Sequence, residues 1–120
     1  MTANNRGAIL NVCCPYTSRE EITTSLRTIL TDVENGDLDP DDIDESTIDA
    51  RMYTKDCPRP DLLIRTSGVR RLSDFLLWQT HKDTEVKFVD VYWPEFTVWR
   101  FIAVLLDYQI SLFRKNIKDE

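Results

Sequence analysis

The sequence predicts an α/β protein, a parallel sheet with flanking helices. Three observations carry that expectation. Compact runs of strand-forming residues recur along the chain, each leads into a stretch with helical spacing of apolar residues, and proline or glycine punctuates the joins. Strand, helix, strand, helix, strand, helix in that order calls for parallel pairing.

The first run, Ala8 to Cys14, is apolar and rich in strand formers, and Pro15 ends it. It reads as a strand buried on both faces. Thr17 or Ser18 can cap the helix that follows, with Glu20 and Glu21 favourably placed in its first turn. Ile22, Leu26, Ile29, Leu30 and Val33 share one face of that helix, and Asn35-Gly36 stops it. Asp39-Pro40 marks a turn. A short helix from Ile43 to Met52 follows, with Asp44 or Ser46 near its start, and Pro58 and Pro60 break the chain again.

Asp61 to Arg65 forms a second compact strand, which Thr66-Ser67-Gly68 turns. Ser73 or Asp74 then opens a helix through Phe75, Leu76, Leu77 and Trp78. Val86 to Tyr92 reads as the third strand. Val98, Phe101, Ile102, Leu105, Leu106, Leu112 and Phe113 mark a long final helix. Trp78, Trp93, Trp99 and Phe101 are expected to pack together against the sheet.

Composition narrows the function. The chain has 120 residues and a formal net charge of −6, so it suits one small domain and is a poor match for nucleic acid. The charge is uneven. Residues 32–49 hold nine Asp or Glu and no Lys or Arg, whereas Arg65, Arg70 and Arg71 lie within seven residues of one another. A basic cluster in an acidic chain points to a local anion site. Cys13, Cys14 and Cys57 are odd in number and lack a CxxC pair, which argues against a disulfide framework or a zinc site and for a reducing compartment. No apolar stretch has signal-peptide length, and the greasiest segment, Val98 to Phe113, is interrupted by Arg100, Asp107 and Gln109, so no membrane span is expected.

The segment Arg65-Thr-Ser-Gly-Val-Arg-Arg-Leu-Ser73 sits where a strand leaves the sheet, the usual place for ligands in open parallel sheets. It supplies three guanidinium groups, three hydroxyls and a flexible glycine. Guanidinium forks pair bidentately with phosphate oxygens. No GxxxxGK[ST] or GxGxxG pattern is present, so the signal is phosphate rather than nucleotide. The alternative, solvated arginines beside an N-capping serine, remains open on local grounds. Asp41-Asp42-Ile-Asp-Glu45 reads as the solvated start of a helix.

The run Asp61-Leu-Leu-Ile-Arg-Thr-Ser-Gly-x-x-Arg-Leu-Ser-Asp-Phe-Leu-Leu-Trp-Gln79, with Trp93-Pro-Glu-Phe96 after it, resembles the C-terminal signature of cis-prenyltransferases. Leu10 to Ile22 resembles the strand-helix segment that precedes it. The Thr-Ser-Gly form and the Tyr16-Thr-Ser-Arg stretch are more similar to eukaryotic dehydrodolichyl diphosphate synthases than to bacterial undecaprenyl diphosphate synthases. The resemblance implies a prenyltransferase that condenses isopentenyl diphosphate with an allylic diphosphate such as farnesyl diphosphate, using Mg2+, in dolichol synthesis for protein glycosylation. Carried over by position, Arg65, Arg71 and Ser73 bind isopentenyl diphosphate, and Glu85 is the metal-associated carboxylate or else a solvated strand end. The family's Asp-Gly-Asn-x-Arg motif is absent, so residues 1–120 are expected to form a single partial domain, the C-terminal half of the fold. The family also implies a homo- or heterodimer with a related subunit, and peripheral association with the cytosolic face of the endoplasmic reticulum membrane. The tail from Arg114 lacks the Arg-x-Gly ending of accessory subunits and is more similar to a catalytic subunit's. The competing expectation is a truncated, non-catalytic or regulatory chain that dimerises with a complete relative.

Overall fold

A computed structural model describes residues 7–118. Helix α1 spans Ser18–Glu34. Its cap is Thr17, whose side chain accepts from the Glu20 amide, and Asn35 with Gly36 (φ 78°) ends it. A 3₁₀ turn at Pro40–Asp42 leads into α2, Glu45–Asp49. The Asp44 carboxylate takes the Thr47 amide while the Thr47 hydroxyl takes the Asp44 amide, a reciprocal capping box. The acidic stretch therefore starts a helix, as its sequence predicts.

Strands β1 (Leu62–Arg65) and β2 (Glu85–Phe88) pair in parallel, Leu62 opposite Glu85 and Arg65 opposite Phe88. A second 3₁₀ turn, Trp93–Glu95, precedes α3, Val98–Lys118. The fold is thus a parallel α/β arrangement with flanking helices. Among the described residues the buried apolar side chains are few: Ile29, Met52, Leu63 and Val91.

Four expectations change. Residues 8–14 form no strand and lie exposed, with Leu10 at 87% and Val12 at 80%. A strand exists only through its neighbours, and none among the described residues pairs with this run. The helix predicted from Ser73 or Asp74 is a series of turns, because Ser73, Asp74 and Leu76 all have positive φ (51°, 62° and 47°). A right-handed helix cannot pass through left-handed residues.

On α1 the buried positions are Ser18, Glu21, Ser25 and Ile29, whereas Leu26 and Leu30 are exposed. The helix is turned by roughly 70° from its apolar stripe, at 100° per residue. A buried polar network, described below, sets that orientation. Finally, the aromatic set is not a core. Trp93 and Trp99 are exposed, and Trp93, Phe96 and Phe101 form a surface ladder with ring centroids 6.5 and 6.4 Å apart. Only Trp78 of the expected four is turned inward, and its indole donates to Asp49 at 2.6 Å.

A loop at the end of β1 and its anchors

The chain leaves β1 at Arg65 and turns at Ser67 (φ 76°) and Gly68 (φ 68°). The sheet ladder continues past the strand ends to hold this turn. Val89 donates to Arg65 O at 2.8 Å, Gly68 to Val89 O at 3.1 Å and Ser67 to Val91 O at 2.6 Å. A Cβ at Gly68 would stand 3.3 Å from Asp90 Oδ1, and positive φ already favours glycine there.

The structure brings Arg65 and Ser73 together. Arg65 Nη1 donates to Ser73 Oγ at 2.8 Å and to the Arg71 carbonyl at 2.5 Å. Arg70 and Arg71 point outward, and neither meets a carboxylate among the described residues. A cavity of about 310 Å³ lies alongside, walled by Leu63, Arg65, Ser67, Leu72 and Phe75. Unpaired guanidinium groups on a loop beside a partly apolar hollow can hold a diphosphate with a short hydrocarbon tail.

The loop is tied to the start of α1. The Ser18 amide donates to Asp74 O at 2.8 Å, the Leu77 amide to Ser18 Oγ at 2.8 Å, and Arg19 Nε to Asp74 Oδ2 at 3.0 Å. Beneath it, the fully buried Glu21 carboxylate accepts from the Tyr53 amide at 2.8 Å, from Gln79 Nε2 at 3.1 and 3.0 Å, and from the Tyr16 hydroxyl. Burial, reinforced by the bond to Glu21, pushes the Tyr16 phenol up to about 12. Sequence reasoning placed Glu21 only as a first-turn acid. Its other signal was spacing, since Ser18, Glu21 and Ser25 share one helical face.

Glu85 stands apart from this group. It is the first residue of β2, opposite Leu62, at the end of the sheet away from Arg65. Lys87 Nζ at 2.6 Å and the Ser111 hydroxyl occupy its carboxylate and hold it below the usual carboxylate range, Lys87 contributing most. No three His, Cys, Asp or Glu residues gather as a metal site among the described residues. The donors present therefore do not fit a preformed magnesium site.

A parallel α/β fold with an arginine-rich loop at a strand's carboxyl end has the layout in which open-sheet proteins take their ligands. Residues 1–115 match the family described as "Putative undecaprenyl diphosphate synthase". The chain belongs to that family, the cis-prenyltransferases. It is 54% identical over 111 residues to a dehydrodolichyl diphosphate synthase complex subunit of Schizosaccharomyces pombe, covering 92% of this chain and 42% of that protein. With the corresponding Homo sapiens subunit it shares 50% over 110 residues, 92% of this chain and 33% of that one. Lavandulyl diphosphate synthase of Lavandula x intermedia, solved with dimethylallyl diphosphate, superposes with a TM-score of 0.73 at 41% identity, over 78% of this chain and 40% of that structure. The chain thus spans less than half the length of these relatives.

Proposed function

We propose that this chain supplies the isopentenyl-diphosphate site of a dehydrodolichyl-type cis-prenyltransferase. The observation that carries the proposal is the Arg65–Ser73 contact with Arg71 exposed beside it, in a chain of this family. Arg71 and Arg65 would grip the diphosphate and Ser73 would donate its hydroxyl. The nucleophile in such a reaction is a weak alkene, so holding it against an allylic diphosphate such as farnesyl diphosphate and stabilising the departing charge are the main tasks. A magnesium-holding role for Glu85 would require its carboxylate to leave Lys87 and Ser111.

The test is condensation of radiolabelled isopentenyl diphosphate with farnesyl diphosphate and magnesium, using the chain alone and the chain with the N-terminal half of a relative. Long-chain product in the complemented sample, lost in Arg71→Ala, supports the proposal. Product from the chain alone would overturn the expectation that an Asp-Gly-Asn-x-Arg motif is indispensable. Absence of product together with absence of isopentenyl diphosphate binding by calorimetry moves the function to a non-catalytic partner chain.

One observation favours a subunit role alongside catalysis. Trp99, Ile102, Leu106, Ile110, Phe113 and Ile117 form an exposed apolar ridge on α3, whereas Asp107 and Ser111 turn toward β2. A ridge of this length supports pairing with a second copy or a related subunit, and the Schizosaccharomyces pombe and Homo sapiens relatives are named as subunits of a complex. No helix among the described residues is long and apolar enough to cross a membrane.

A further inference from the structure

The residues between Leu72 and Gln79 contradict their own sequence. Ser73 and Asp74 are good helix starters, Phe75 to Gln79 contains no glycine or proline, and yet the backbone is left-handed at Ser73, Asp74 and Leu76. The Phe75 amide donates to Leu72 O at 3.2 Å across Ser73 and Asp74, both at positive φ, which is the type I′ pattern. Asp and Asn are the non-glycine residues that best tolerate this conformation. Asp74 is also pinned from outside, its carbonyl by Ser18 and its carboxylate by the amide and Nε of Arg19.

In this form the loop bonds to itself. Ser73 Oγ and Arg65 Nη1 face each other, and Arg65 also holds the Arg71 carbonyl. Arg65 Nη1 and Ser73 Oγ are thus engaged within the loop, whereas Arg71 stays exposed. We infer that Asp74 is a positioning residue: its left-handed backbone holds the loop in this self-bonded state, and diphosphate binding draws the Ser73–Asp74 turn into the right-handed conformation its sequence favours. The inference rests on the loop being the diphosphate site. It adds that the site exists in two backbone states and that residue 74 sets the balance between them.

Asp74→Gly and Asp74→Ala separate backbone from side chain, because both remove the carboxylate that Arg19 holds. Glycine is at ease at positive φ, and alanine is not. Inorganic pyrophosphate titrated by calorimetry into the 120-residue chain should bind the alanine variant roughly fivefold more tightly than the glycine variant. Asp74→Asn should stay near wild type. Equal affinities for the alanine and glycine variants, or the reverse order, would sink this inference while leaving the site itself intact. Loss of binding in Arg71→Ala reports on the site independently. Failure of the wild type to bind removes both.

Discussion

Gln79 reaches back 58 residues to donate from Nε2 to both carboxylate oxygens of Glu21, at 3.1 and 3.0 Å. Both residues are buried, and the same Gln79 nitrogen lies 3.0 Å from Thr54 Oγ1. A buried carboxylate is tolerable only when its lone pairs are met. Gln79→Leu should therefore cost about 2–3 kcal/mol, the penalty for an unmatched buried acceptor, read from the urea midpoint. Glu21→Gln should cost less, because removing the charge removes most of the penalty. A larger loss in Glu21→Gln than in Gln79→Leu would contradict this account.

Tyr16 gives the same network an alkaline signature. Its folded value, about 12, exceeds the ordinary 10, so the folded state holds the phenol proton more tightly than the unfolded state does. The resulting stabilisation is complete below pH 10 and is lost as pH rises from 10 towards 12. Tyr16→Phe should show a shallower loss over that window than wild type in parallel denaturation curves. Identical slopes would mean that Tyr16 does not feel Glu21.

Arg71 and Arg65 should separate binding from stability. Arg71 is exposed, so Arg71→Ala should leave the melting curve nearly unchanged and weaken pyrophosphate binding by about ten- to a hundredfold, the worth of hydrogen bonds to a charged group. Arg65 also holds Ser73 and the Arg71 carbonyl, so Arg65→Ala should lower both affinity and melting temperature. Calorimetry beside thermal denaturation distinguishes the two.

Lys87 stands between Glu85 at 2.6 Å and Asp107 at 2.5 Å and ties α3 to β2. These contacts lower the Glu85 value and raise that of Lys87. The contribution of Glu85 is present above its unfolded value and disappears as pH falls through its depressed folded value. Acid should loosen α3 first, seen as faster amide exchange along 98–118, and Glu85→Gln should reproduce this at neutral pH. Pyrophosphate affinity should not change in Glu85→Gln. A large drop would give Glu85 a part in ligand binding.

Leu106→Glu with Ile110→Glu places charge on the exposed ridge of α3. If that ridge seats another subunit, sedimentation should show a dimer in wild type and a monomer in the double variant, with pyrophosphate binding retained. A monomeric wild type would leave the ridge without this role.

What the sequence made legible was local. Thr17 caps α1, Asn35-Gly36 ends it, and Asp44 starts α2 because each depends on residues within a single turn. Leu62–Arg65 and Glu85–Phe88 pair because both are strand formers with a partner in reach. That Arg65 and Ser73 share one loop at a strand end was likewise legible, since they lie only eight residues apart, but their direct hydrogen bond was not. What escaped was distant. Residues 8–14 have strand chemistry but no neighbour among the described residues. Ser18 and Arg19 hold Asp74 from 55 or more positions away, against the helix its sequence favours.

The Glu21 carboxylate has a further consequence, for how the chain acquires its shape. Its partners come from three places: Tyr16 nearby, Tyr53 some 32 residues on and Gln79 some 58 residues on. Any one of them alone leaves a charge stripped of water with too little in return, so the acid stays hydrated until all three are at hand. Closing loops of that length is slow compared with forming a helix, which makes this junction a late event in folding. The start of α1 and the segment carrying Ser73 and Asp74 therefore lock together in one step, and the loop from Arg65 to Ser73 takes its final form only when the chain as a whole has committed.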